Sequence, residues 1–131
     1  MYSRGEERAK HYPLDWSLVT SDGARFENMV ACHLLKWVHY EQDTKGRYVE
    51  LRYFRDTDAR EVDFVITERN RPIMLVECKN SDTDVDRGIR YLHAKYPAVP
   101  AWQISATGRK DYVTPDGIRV APALTLLATL V

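Results

Sequence analysis

Glu61-Val62-Asp63-Phe64-Val65-Ile66, a break at Arg69-Asn70-Arg71-Pro72, and then Ile73-Met74-Leu75-Val76-Glu77-Cys78-Lys79 form the stretch that decides the fold. Two runs rich in β-branched and aromatic residues flank a turn, which is how a β-hairpin reads. Residues two apart on a strand point the same way, so Glu77 and Lys79 share one face while Val76 and Cys78 turn to the other. Hairpin pairing would bring Asp63 alongside them, in the pattern D-(x13)-E-x-K. Aspartate is ill suited to a strand interior, and a carboxylate among Val62, Phe64, Val65 and Ile66 needs a partner. Two carboxylates against one lysine leave surplus negative charge. Such a group can hold a hard divalent cation that activates a water, or push up the pKa of one acid. The plainer alternative is an ion pair at a strand end, which Glu77 and Lys79 would satisfy between them.

Upstream of the hairpin, Arg47 to Arg55 alternates and is rich in aromatics, so it reads as a further strand and completes a meander. Before it, Phe26, Met29, Val30, His33, Leu34, Trp37 and Val38 recur at helical spacing from about Asp22, with Gln42 to Gly46 expected as the turn that follows. Glu27 lies on or beside the apolar face of that helix. There it is either an acid of the first turns favoured by the helix dipole or a side chain aimed at the same end of the sheet. Downstream, Asp82 or Asp84 is expected to start a second helix that Pro97 ends, followed by a strand over Val99 to Ala106. Pro115-Asp116-Gly117 supplies a hairpin turn, and Pro122 opens a short final helix. The order αβββαβ predicts an α/β domain, a mixed sheet flanked by helices, over residues 21–131. Residues 1–20 read as a linker or pairing segment with Tyr12, Leu14, Trp16, Leu18 and Val19 as docking points.

The chain has 131 residues, enough for one core and too few for two, and 19 basic against 19 acidic residues. Zero net charge argues against tight nonspecific binding to nucleic acid, so any phosphate contact must come from a local patch or a metal. Cys32 and Cys78 show no disulfide framework and are expected to be reduced and buried. With no signal peptide and no apolar run long enough to span a bilayer, the expectation is a cytoplasmic protein without a membrane partner. His11, His33, His39 and His93 lack metal-ligand spacing, which argues against zinc. His33 is expected on the core face, and His39 and His93 on the surface. Thr107-Gly108-Arg109-Lys110 has some look of a phosphate loop but lacks the upstream glycine and the closing Ser or Thr. The cations around Arg52 alternate with acids, so a solvated strand with cross-strand ion pairs is the leading reading of that face.

Glu27 on the first helix, Asp63 on the second strand and Glu77-x-Lys79 on the third resemble the PD-(D/E)XK nuclease superfamily. Gly23-Ala24-Arg25-Phe26-Glu27-Asn28, Glu61-Val62-Asp63-Phe64 and Glu77-Cys78-Lys79-Asn80 look like the nuclease-like domain, usually catalogued as of unknown function, at the C-terminus of a family of prokaryotic AAA+ ATPases. The likeness covers about Leu14 to Val131. It departs in having Val62 where the superfamily name has proline, and in having no ATPase module in the sequence, so a fragment or a stand-alone relative is expected. The resemblance implies a restriction-endonuclease-like core. It also implies Mg²⁺ or Mn²⁺ on Asp63, Glu77 and the backbone carbonyl of Cys78, with Glu27 holding a second metal or a metal-bound water. Lys79 would orient or deprotonate the attacking water. Apart from the resemblance, Arg52 on the nearby strand is the candidate contact to the nucleic acid. The partners implied are nucleic acid, DNA foremost, an attached ATPase module and a second copy of the chain. The competing reading is a non-catalytic nucleic-acid-binding, dimerising or regulatory module of such an ATPase, its acid cluster a relic.

Overall fold

Arg69 and Asn70 both adopt positive φ, 51° and 65°, the left-handed conformation that a two-residue turn between twisted strands requires. They join Glu61–Glu68 to Arg71–Lys79 in antiparallel register, with Glu68 opposite Arg71. The computed structural model describes residues 7–9 and 22–130. Its elements run β1 (Glu7–Ala9), α1 (Asp22–Lys45), β2 (Val49–Arg55), β3 (Glu61–Glu68), β4 (Arg71–Lys79), α2 (Arg87–Lys95), β5 (Ala101–Ser105), β6 (Tyr112–Val113), β7 (Ile118–Pro122) and α3 (Ala123–Leu127), with a closing 3₁₀ turn. One seven-stranded sheet in the order β1-β2-β3-β4-β5-β7-β6 results. It is antiparallel from β1 to β4, parallel from β4 through β5 to β7, and closed by antiparallel β6. The expected αβββαβ order and mixed α/β class are therefore present, and residues 7–9 do pair with the sheet. Tyr12, Leu14, Trp16, Leu18 and Val19 lie outside the described residues.

Strand parity sorts the core into two layers. Val30, Leu34 and Val38 of α1, with Leu126 of α3, cover the face carrying Val49, Phe64, Ile66, Val76 and Ile104. Ile89 and Leu92 of α2 cover the other, against Phe54, Val62, Val65 and Leu75. Helix α2 lies so close to β3 that a Cβ at Gly88 would overlap the backbone of Glu61. Backbone cannot yield as a flexible side chain can, so Gly88→Ala should cost about 2–3 kcal/mol, read as a lower urea midpoint at unchanged slope.

Several local expectations fail for traceable reasons. Helix α1 continues through the expected turn at Gln42 and stops only at Gly46, whose φ is +64°. Buried Glu41 holds the last turn by ion pairs to Lys45 at 3.2 Å and Arg47 at 2.6 Å. Helix α2 starts later than Asp82 or Asp84, capped instead by the Asp86 carboxylate, which accepts from the Gly88 N–H at 2.9 Å. Cys32 is exposed, not buried, and both cysteines are free thiols. His93 is buried and His33 exposed, the reverse of the periodicity reading, whereas His39 is exposed as expected. His33 instead lines an apolar cavity of about 780 Å³ between α1 and α3.

Candidate metal and phosphoester site

The β2–β3 pairing steps from Arg52–Val65 to Phe54–Val62, so Tyr53 alone stands opposite both Asp63 and Phe64. This is a β-bulge, a device that re-aims a side chain and ends regular pairing. Between β3 and β4 the ladder stops at Phe64–Val76, one step short of Asp63 and Glu77. Carboxylates take over the hydrogen bonding there. The Asp63 N–H donates to Glu77 Oε1 at 3.0 Å, and the Cys78 N–H donates to Asp63 Oδ2 at 2.9 Å. Each acid thus caps an amide of the neighbouring strand, which fixes both side chains.

Glu77 and Lys79 lie on the α2 side of β4, the side of Leu75. The Lys79 Nζ stands 3.4 Å from Glu77 Oε2 and 2.9 Å from Asp86 Oδ1. Burial pushes the Glu77 carboxyl up to about 8, the charge of Asp63 adding to the effect and Lys79 only partly offsetting it. Burial also works against the Lys79 ammonium. Its hydrogen bond to Asp86 and the charges of Glu77 and Asp86 outweigh that, and its pKa rises above the ordinary lysine value. At neutral pH Lys79 is therefore charged, and it serves two acids at once.

A polar cleft of about 470 Å³ opens here, lined among others by Glu61, Asp63, Glu77, Lys79, Asp84 and Asp86. Asp63, Glu77 and Lys79 are thus brought together, as strand parity predicts. Glu27 is not among the lining residues. It is half-buried in the second turn of α1, on the helix that covers the opposite face of the sheet. Arg52 stands elsewhere: its guanidinium bonds Glu50 at 2.8 Å and Asn70 at 3.0 Å, toward the β3–β4 turn. Among the described residues, no three His, Cys, Asp or Glu side chains are gathered to hold one ion.

Two residues of the site escaped the sequence reading. Asp86 has the right type for a helix cap, but its pairing with Lys79 depends on how α2 docks. Gln103, paired with Glu77 across β4 and β5 and almost wholly buried, braces the cleft wall. Its Oε1 accepts from the Asp86 N–H at 2.8 Å, and its Nε2 donates to the Asp84 carbonyl at 3.1 Å. The signal for it was a lone amide inside an apolar strand, since buried amides are placed where they can be satisfied.

Among the described residues no helix is long and apolar enough to cross a membrane. No curated protein and no solved structure matches the chain. A family model does match residues 22–126, from the first residue of α1 into α3, and so includes every residue of the cleft. The chain belongs to that family, described as a domain of unknown function, DUF4143.

Proposed function

We propose that this domain is a divalent-metal-dependent nuclease that hydrolyses phosphodiester bonds of nucleic acid, with DNA the first substrate to try, and that it is a member of the PD-(D/E)XK superfamily attached to or descended from an AAA+ ATPase. The observation that carries the reading is the pair of carboxylates, Asp63 and Glu77, fixed side by side at the mouth of the sheet against a single lysine shared with a third acid. The donor set suits Mg²⁺ or Mn²⁺, because it is all oxygen and carries surplus negative charge. Asp63, Glu77 and the carbonyl of Cys78 would hold the ion, with water or substrate oxygens completing the shell. Mg²⁺ sites of one or two carboxylates are of this kind. Bound there, the ion would supply Lewis acidity at a phosphoryl oxygen and a water of lowered pKa.

The protein's own contribution is positional. The two amide hydrogen bonds hold the carboxylates in place before any ligand arrives. Lys79 keeps its proton and presents an ammonium to the cleft, where it can donate to a non-bridging phosphate oxygen and offset charge in the transition state. Glu27, outside the cleft lining, is given no part in holding the first ion.

A second reading, the non-catalytic module, draws on one observation: Lys79 is already satisfied by Asp86 and Glu77. The Lys79→Ala variant separates the two. As a nuclease, it should lose cleavage yet bind Mn²⁺ as tightly as the wild type or more so by calorimetry, because a competing cation is gone. If only the melting temperature changes and the wild type cleaves nothing, the module reading stands.

A further inference from the structure

Five acids line the cleft against two cations, Lys79 and Arg87, so a nucleic-acid substrate needs further cations beside it. Many of the arginines are committed. Arg47, Arg55, Arg60, Arg90 and Arg119 each pair with a carboxylate at 2.6–3.0 Å. Arg109 and Lys110 differ. Both are exposed, and neither charged end has a hydrogen-bond or ion-pair partner among the described residues.

Their position is built, not incidental. The segment 106–110 leaves the C-terminal end of β5 beside the end of β4. The Ala106 N–H donates to the Lys79 carbonyl at 3.0 Å, and the Thr107 N–H and Oγ1 both donate to the Asn80 carbonyl at 2.8 Å. From below, the Asp82 carboxylate accepts from the Arg109 N–H at 3.1 Å and the Lys110 N–H at 3.3 Å. Gly108 sits so tightly on Asp82 and Ser105 that any Cβ there would overlap both side chains. Asp82 belongs to the segment that continues to Asp84 and Asp86 of the cleft wall. One set of hydrogen bonds therefore ties these two cations to the strand end that carries Lys79. Ligands of open α/β sheets bind outside the carboxyl ends of the parallel strands, where this segment lies.

We propose that segment 106–110 grips the phosphodiester backbone of the nucleic acid, with Arg109 and Lys110 neutralising two phosphates next to the one presented to the cleft. The proposal rests on the nuclease reading for the identity of the partner, and its test does not depend on catalysis. Binding of a labelled oligonucleotide is followed by fluorescence anisotropy in EDTA across a salt series, for the wild type, the double variant R109A/K110A, and R71A. Arg71 is also exposed, at the opposite end of β4. The double variant should bind roughly tenfold more weakly and lower the slope of log K against log salt by about 2, one unit for each lost phosphate contact. R71A should match the wild type. Double-variant binding equal to the wild type, equal losses in R71A, or a wild type that binds no oligonucleotide would each overturn the proposal. A wild type that binds through this segment but never cleaves with Mg²⁺ or Mn²⁺ retires the nuclease reading and leaves the grip standing.

Discussion

Asp63→Asn should abolish metal-dependent cleavage, by roughly a thousandfold or more, in a protein that is at least as stable as the wild type. The side chain keeps an oxygen that can still accept from the Cys78 N–H, so the bulge and the strand end survive. What changes is charge. One of the two carboxylates that would hold the ion becomes a weak neutral donor. The same change removes the charge that helps to push up Glu77, so metal-free stability near pH 8 should rise. A dead and more stable variant distinguishes ligation from packing, because a packing residue loses both properties together. Cleavage is measured on DNA and RNA substrates with Mn²⁺, and stability by urea titration. Equal cleavage by variant and wild type would show that the activity comes from elsewhere.

The hairpin, the αβββαβ order and the meeting of Asp63, Glu77 and Lys79 were legible in the sequence because they rest on local rules. Strand parity places Glu77 and Lys79 together, and Arg69-Asn70 supplies the turn that brings Asp63 back. The remainder of the cleft depends on pairing between distant segments, which period and propensity do not encode. The bulge at Asp63 follows from the register of β2 against β3, and no residue of either strand announces it. Asp86 and Gln103 meet Lys79 and the cleft wall only because β5 runs parallel to β4 and α2 crosses between them. His93 shows the same limit: nothing in its own helix distinguishes a histidine buried under the Gly117 turn from an exposed one. Helical period also misjudged where α1 ends, because buried Glu41 turns a polar stretch into a helical one.

The stability of the metal-free protein should fall steadily as pH rises through Glu77. A glutamate in the unfolded chain titrates near 4.5, whereas in the folded chain Glu77 keeps its proton to about 8. Between these values the folded state binds more protons, so the free energy of unfolding decreases with pH. The penalty is absent below about 4.5 and complete above about 8. It is on the order of a few kcal/mol, since each unit of pKa difference corresponds to about 1.4 kcal/mol. Glu77→Gln carries no such proton and should show a flat profile across this window, overtaking the wild type in stability at the alkaline end. A cation on Asp63 and Glu77 would compete with that proton and offset the charge left when it is lost. Mg²⁺ or Mn²⁺ should therefore raise the melting temperature more at pH 8 than at pH 6 and release a proton on binding. The stabilisation is about 2.7 kcal/mol at a hundredfold excess over Kd, and Glu77→Gln should lose it. Calorimetry in two buffers of different ionisation enthalpy detects the proton, and thermal unfolding with EDTA or metal gives the rest. A wild type with flat stability between pH 5 and pH 8, unmoved by either metal, would mean that Glu77 ionises freely. Asp63 and Glu77 would then hold no metal.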